Sequence, residues 1–398
     1  MDFRLLSELP DNLAGKFILL RADLNVPVQK GDVTDYTRID RLKPSINFLT
    51  SRNARVIVLS HFGRPKGQPN PEYSLSFLAP VLQERWSVSV AFSKDCCGEL
   101  AKEGKSSMND GDVLLLENTR FHKGETENNP DFSKKLSQLG DYFVNDAFSA
   151  AHRAHASTVG VTQFLPAYAG CLMEAELEAL NKALENPVHP VTAVVGGAKI
   201  STKLELLETL ITKVDNLILG GGMANTFLKA QGHEIGKSLC ENDMLETAKS
   251  ILEKCESQNC KLYLPVDVVA ADGFEQNSPH DVYESNKIPQ NRMVLDAGQK
   301  SLGIYKGVLD GSKTLVWNGP LGAFEVEPFD SGTNDLASYA GKLTNENGLI
   351  SVAGGGDTVS ALEKSGSASQ FSYISTAGGA FLEWLEGKTL PGVQALKR

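Results

Sequence analysis

The chain has 398 residues, of which 41% are hydrophobic and 22% charged, with a formal net charge of −10. That length favours two or three domains over one, and the composition is globular, with ample material for a core. The acidic balance excludes the broad basic face of a nucleic-acid binder, and the absence of any apolar run near about 18 residues excludes a transmembrane helix. A small anionic ligand would also be repelled by the average field, so it would need a local basic cluster. The N-terminus lacks a signal peptide's long apolar region and small-residue cleavage site. Six cysteines without a CxxC pair or zinc spacing, Cys96 and Cys97 being adjacent and unbridged, read as free thiols of a cytosolic protein.

In chain order, "FILL" runs into "RADLNVP" (21–27), and a helical pattern follows in "YTRIDRLKPSINFLTSR" (36–52). "RVIV" then runs into "LSHFGRPKG" (59–67), "VLLLENTR" (113–120) into "FHKGE", and "YFVNDAFSAAHRAH" spans 142–155. Each short apolar run reads as a strand buried on both faces, and strands alternating with helices imply a parallel sheet. "CLMEAELEALNKALENPVHP" (171–190) places Leu172, Leu177, Leu180 and Leu184 on one helical face before Pro187 ends it, and reads as an interdomain helix. The second half repeats the plan with glycine-rich loops: "VTAVVGGAKISTK" (191–203), "NLILGGGMANTFL" (216–228), "KLYLPVDVVAAD" (261–272), "TLVWNGPLGAFE" (314–325), "LISVAGGGDTVSAL" (349–362) and "SYISTAGGAFLEWL" (372–385). No fixed-period repeat is present, which excludes a solenoid. Ligands of open α/β sheets bind outside the carboxyl ends of the strands. There one half offers arginines and histidines, suited to a compact polyanion, and the other offers backbone amides, suited to nucleotide phosphates.

Arg38 stands near a helix start, where a cation opposes the macrodipole; it is either a solvated surface arginine or a residue compensated by a bound anion. Arg64, Arg120 and Arg153 follow three different apolar runs, and their guanidinium forks suit phosphate and carboxylate. His61, His122, His152 and His155 share those loops. The spacing of His152 and His155 is not HExxH and no carboxylate partner is in place, so a zinc site is rejected there, and His61 is the histidine favoured as a ligand. Asp23 and Asn25 read equally as hydroxyl ligands or as turn residues before Pro27. Lys199 and Lys203, four apart near a helix start, are expected to share a face and oppose the dipole unless phosphates sit there. Asp357, after three glycines, is a plain N-cap or a magnesium ligand beside a phosphate nest. "GHEIGKS" (232–238) is one residue short of a Walker loop and follows no strand, so it is set aside, and no GxGxxG follows a strand to support a dehydrogenase.

Taken together, "RADLNVP", "SHFGRPKG", "LLENTRFHKGE", "NDAFSAAHRAHAS", "GGAKISTKLELL", "LILGGGMANTF", "WNGPLGAFE", "GGGDTVSAL" and "LEWLEGKTLPGV" closely resemble the phosphoglycerate kinase family, in the family's order and over nearly the whole chain. The resemblance implies an α/β protein of two Rossmann-like three-layer domains with parallel sheets, joined by an interdomain helix and facing across a cleft. The implied bounds are 1–170 for the phosphoglycerate-binding domain, 171–187 for the helix and 188–380 for the nucleotide-binding domain, with 381–398 returning to the first domain. It implies reversible phosphoryl transfer between 1,3-bisphosphoglycerate and ADP, giving 3-phosphoglycerate and ATP, with Mg2+ and domain closure, in a cytoplasmic monomer without nucleic-acid or membrane partners. By motif match, Asp23, Asn25, Arg38, His61, Arg64, Arg120 and Arg153 would hold the triose acid. Lys203, Gly220, Gly221, Asn318, Glu325, Gly355, Gly356, Asp357 and Thr358 would hold the nucleotide, with Glu325 on the ribose and Asp357 on the metal. Arg38, Lys199, Gly378 and Gly379 would meet the group in transfer. Where the family usually reads TGGGAS this chain has "TAGGAF" (376–381), so Ala377 and Phe381 put the hinge and local geometry there in doubt. The readings that compete are a kinase for another small acid and a binding protein that kept the fold.

Overall fold

The structure, a computed structural model, describes residues 3–398. Met1 and Asp2, with which the expected first domain begins, lie outside the described residues. The chain divides into two compact units, one comprising residues up to Leu177 together with Thr389–Arg398, the other Glu178–Lys388.

The first unit is built on β1 (Phe17–Arg21), a short hairpin of β2 (Val28–Gln29) and β3 (Asp32–Val33), then β4 (Arg55–Leu59), β5 (Val90–Ser93), β6 (Val113–Leu116), β7 (Tyr142–Asn145) and β8 (Ala167–Ala169). Six of these form one parallel sheet in the order β5-β6-β4-β1-β7-β8. Leucine, isoleucine and valine dominate its central strands because both faces are covered. Ile18, Leu20, Val56 and Val58 pack against Ile39, Leu42 and Ile46 of the helix Thr37–Thr50 and against Leu78, Leu82 and Trp86 of the helix Leu78–Trp86. The register decides what happens at the carboxyl edge. Arg21 lies beside both Leu59 and Asn145, and Val58 beside Leu115, so the loops starting at residues 22, 60, 117 and 146 leave the sheet together.

The second unit carries β9 (Val191–Val195), β10 (Asn216–Leu219), β11 (Lys261–Tyr263), β12 (Asp267–Ala271), β13 (His280–Glu284), β14 (Met293–Ala297), β15 (Thr314–Asn318), β16 (Ile350–Gly354) and β17 (Tyr373–Ser375). Its parallel sheet runs β11-β10-β9-β15-β16-β17. Counted within that sheet the order is 3-2-1-4-5-6, the dinucleotide-fold order, which reverses between β9 and β15. Asn318 lies beside Val195 at that reversal, so the glycine loops after β9 and β15 open side by side. The single run expected over 261–272 is in fact two strands: β11 closes the parallel sheet, and after Pro265 the chain re-enters as β12, the centre of a three-stranded antiparallel sheet, β13-β12-β14. That small sheet escapes sequence reading because β13 is a largely exposed edge without an apolar face.

The helix Cys171–Leu180 continues into a π-type turn, Asn181–Glu185, and the division between the units falls inside it. The helix Gly379–Leu385 belongs to the second unit, where Thr209 Oγ1 donates to the Glu386 carbonyl at 3.0 Å. The last residues belong to the first, where the Gly392 amide donates to the Ala151 carbonyl at 2.8 Å.

Candidate active site

At the carboxyl edge of the first sheet, the charges are arranged around a buried arginine that sequence reading passed over. Arg21 ends β1 fully buried; its Nε donates to Ser157 Oγ at 2.8 Å and its Nη2 lies 3.0 Å from His61 Nδ1. A cation inside an apolar strand run was the signal that could have found it. The contact requires His61 Nδ1 to accept, and burial first, then Arg21, hold His61 well below the ordinary histidine range, so its ring is neutral. Asp23 and Asn25 act as braces in this structure. The Asp23 carboxylate lies 2.9 Å from Arg38 Nη1 and also accepts from Ser149; Asn25 Oδ1 accepts from the Gly63 amide at 2.9 Å. Burial pushes the Asp23 carboxyl up, but Arg38, the Ser149 hydroxyl and the Asn25 amide together hold it below the usual range.

Arg38 occupies the second position of its helix, as expected, yet the compensation comes from Asp23 and from the Asn25 carbonyl at 2.8 Å. Its side chain remains about one-third exposed (32%), which leaves donors for a ligand. Arg120 is buried; Nη1 donates to the Gly63 carbonyl at 2.9 Å, while Nε is buried without a partner. Burial, then Arg153, Arg21 and Arg64, push Arg120 down to about 10. Arg64 is exposed and has no ion pair among the described residues, and Arg153 Nε donates to His152 at 3.0 Å. Glu125, also missed from sequence, is fully buried and receives the Ser157 amide at 3.0 Å and the Ser157 hydroxyl at 2.6 Å. Two carboxylates, Glu125 and Asp23, among Arg21, Arg38, Arg120 and Arg153 leave a local excess of positive charge that an incoming anion would neutralise.

In the second unit a cavity of about 490 Å3 lies among the glycine loops. Gly197, Gly221, Asp357 and Glu325 line it, with Leu295, Phe324, Leu239 and Phe274 as apolar surface. A larger cavity, about 780 Å3, opens beside β11 but touches none of the glycine loops. Lys203 caps the helix Leu204–Leu210 and reaches back to Asn318, 3.3 Å from its carbonyl and in contact with Oδ1. Burial pushes the Lys203 ammonium down to about 8, against the opposing pull of Asp357 and Glu386. Lys199 sits in the preceding turn, exposed, so the two lysines do not share a helix face; the helix begins only at Leu204.

Gly355 is the cap of the helix Gly356–Lys364 with φ +99°, and a Cβ there would meet Asn318 Nδ2 at 2.8 Å. Asp357 is therefore the second helical residue rather than the N-cap, exposed, and without a hydrogen bond or ion pair among the described residues. Thr358 is buried and its hydroxyl accepts from the Gly319 amide at 2.7 Å. Gly220 caps the helix Gly221–Ala230; a Cβ on Gly221 would lie 2.7 Å from the Gly197 carbonyl oxygen, so the two glycine loops touch backbone to backbone. Glu325 is exposed on the cavity rim. Gly378, at φ +47°, caps the helix whose first residue is Gly379. Lys237, from the stretch set aside as a failed Walker loop, also lines the cavity.

Arginine loops at one parallel-sheet edge and glycine loops at another define a two-unit α/β protein built to handle phosphorylated ligands. The phosphoglycerate kinase family model matches residues 7–388. The chain is 55% identical to phosphoglycerate kinases of Methylorubrum populi, covering 100% of this chain and 99% of that one, and of Rhodospirillum centenum, covering 100% of both. It superposes on the structure of phosphoglycerate kinase from Coxiella burnetii with a TM-score of 0.91 at 45% identity, covering 99% of this chain and 98% of that one. For the enzyme from Pyrococcus horikoshii the TM-score is 0.82 at 30% identity, with the same coverage. The chain belongs to the phosphoglycerate kinase family. It is a kinase of glycolysis, catalysing reversible transfer between 1,3-bisphosphoglycerate and ADP to give 3-phosphoglycerate and ATP.

Proposed function

We propose that the arginine loops of the first unit hold the triose acid and the glycine loops of the second hold the nucleotide. The observation that carries the first assignment is Arg120, buried with an unpartnered Nε among Arg153, Arg21 and Arg64. Such a group is costly to leave unsatisfied, and a phosphate oxygen supplies both the acceptor and the opposite charge. On this reading Arg64, Arg120 and Arg153 bind the phosphate that does not move, His61 donates as a neutral imidazole, and Asp23 and Asn25 orient Arg38 and the loop at Gly63. In the second unit Lys203, Gly355, Gly356 and Thr358 receive the nucleotide phosphates, Gly220, Gly221 and Asn318 shape the floor, and Glu325 accepts from the ribose hydroxyls.

The attacking group is already an anion, a phosphate oxygen of ADP, and the leaving group is a carboxylate, so no general base is required. Positioning and charge stabilisation remain. Arg38, Lys199 and the amides of Gly378 and Gly379 are assigned to the phosphoryl group in flight. Asp357, a hard oxygen donor without another partner beside the phosphate loop, fits Mg2+ carried on the nucleotide, which would supply charge neutralisation there. The six cysteines are all free, which fits a reducing cytoplasm. Each unit has its own core, which supports a monomer, and no helix among the described residues is long and apolar enough to cross a membrane.

Formation of ATP from 1,3-bisphosphoglycerate and ADP, followed in a coupled assay alongside other acyl phosphates, tests the reaction. Ligand titrations of Glu325→Ala test the division of labour: ADP weakens while 3-phosphoglycerate keeps its affinity. Equal weakening of both ligands removes Glu325 from the nucleotide side.

A further inference from the structure

A second group of chemically active side chains lies in the first unit, on residues given no part in the transfer above. Asp95, Cys96 and Cys97 connect β5 to the helix Gly98–Ser106, and the loop after β6 brings His122 against them. One ligand atom from each of the four lies within 4.8 Å of every other. His122 Nε2 is 2.8 Å from Asp95 Oδ1 and 4.0 Å from Cys97 Sγ.

The surroundings hold these atoms in place. Asp95 Oδ1 accepts from the Cys96 amide at 2.7 Å. The His122 ring stacks on Phe132, with centroids 5.0 Å apart. Cys97 caps its nine-residue helix, where the first amides favour an anionic sulfur, and Gly98 at φ +74° lets the chain turn sharply after the two cysteines. Cys96 is buried completely, whereas the Asp95 and His122 side chains are each 35% exposed, which leaves a way in from solvent.

We propose that Asp95, Cys96, Cys97 and His122 form a four-coordinate Zn2+ site. Two sulfurs, one imidazole nitrogen and one carboxylate oxygen are the donors that this borderline-soft ion takes, while Mg2+ and Ca2+ require oxygen. Bonds of roughly 2.0–2.3 Å set ligand-to-ligand edges of about 3.3–3.8 Å in a tetrahedron. The longest edges are therefore within about 1 Å of that size and the 2.8 Å Asp95–His122 edge must open by about 0.5 Å, adjustments that rotation of the Cys97 and His122 side chains supplies. Each thiol that ligates gives its proton to solvent, as does the Nε2–H by which His122 bonds Asp95, and no oxidation or reduction is involved.

Titration of the reduced, metal-free full chain with Co2+, then displacement by Zn2+ against a chromophoric chelator, tests the site. The expected result is one Co2+ per chain, with thiolate-to-cobalt charge-transfer absorption and tetrahedral d–d bands that Zn2+ abolishes. Cys97→Ser should lower the charge-transfer intensity by about half, and it and His122→Asn should each weaken Zn2+ by at least ~100-fold. Transfer activity in the absence of zinc should stay at the level of the parent chain in both variants. His122, partly exposed, keeps the test open if the cysteine variant fails to fold. Absence of the charge-transfer band, or wild-type zinc affinity in His122→Asn, overturns the proposal.

Discussion

Arg38 is held at its helix start by Asp23, so its charge is balanced before any ligand arrives. A phosphoryl group in transfer adds negative charge that the partly exposed guanidinium can meet. Arg38→Ala should lower kcat by roughly 10²-fold, as expected for loss of one charge-stabilising donor; steady-state kinetics showing raised KM with unchanged kcat would move it to simple binding. Lys203, pushed down to about 8 by burial, is partly neutral near that pH. Nucleotide phosphates raise it again, so ADP binding near pH 8 should take up a fraction of a proton and binding near pH 6 almost none. Calorimetry in buffers of different ionisation enthalpy measures the uptake, and Lys203→Met should abolish it.

His155 links the stability of the first unit to pH. Burial first, then Arg120, Arg21, Arg153 and His152, push it down to about 4, while the unfolded chain protonates near the ordinary value of 6.5. Between those values the unfolded state binds the extra proton. The contribution is therefore complete above pH 6.5 and is lost as pH falls towards 4. Urea midpoints of the first unit should drop from about pH 7 to about pH 5, and less in His155→Phe than in the parent chain. An equal drop in both would assign the acid sensitivity to other groups.

The two departures from the family pattern fall just before and within the helix Gly379–Leu385. Ala377 shows no positive φ, so the missing glycine costs no backbone strain there, and Gly378 supplies the left-handed turn instead. Phe381 is fully buried, with its ring against the end of β16: a Cβ on Gly354 would lie 2.6 Å from it. Phe381→Ser, which restores the family's residue, should open a void and cost about 3–5 kcal/mol in the second unit. Denaturant unfolding read from that unit checks the value. A loss well under about 1 kcal/mol would mean that the neighbouring side chains close the gap.

For the whole molecule, we propose that residues 1–170 and the terminal segment Thr389–Arg398 serve the triose acid and 188–388 the nucleotide, the return expected at 381 moving to 389 because the helix Gly379–Leu385 packs in the second unit, with the helix beginning at 171 and the 372–385 segment as the hinges. The two groups of loops belong to different units, yet reacting atoms must come within about 3–3.5 Å. Bridging contacts with both ligands favour a closed state that neither ligand alone stabilises as well. Small-angle scattering should therefore give the smallest radius of gyration with 3-phosphoglycerate and MgATP together. An unchanged radius in an active ternary complex would leave closure without support.

Much of the fold was legible in the chain because buried parallel strands announce themselves as short apolar runs, and the loops that leave them carry the chemistry. "RVIVLS", "VLLLE" and "LISVAGG" place His61, Arg120 and Asp357 without any coordinates. Residues acting through contacts distant in sequence were not legible. Arg21 meets His61 across 40 positions and Ser157 across 136, and Glu125 meets Ser157 across 32. The division of 261–272 between two sheets was hidden for a similar reason: strand propensity says that a segment is extended, not which neighbour it pairs with. Composition and periodicity by themselves determined the parallel α/β class and the order of the loops, and the resemblance of the loop motifs pointed to the family. Only the tertiary structure decided that Arg38 is balanced by Asp23, that Lys199 and Lys203 part company, and that Cys97 meets His122. Charge balance, burial and metal geometry depend on distances in space, which register and packing set and residue order does not contain.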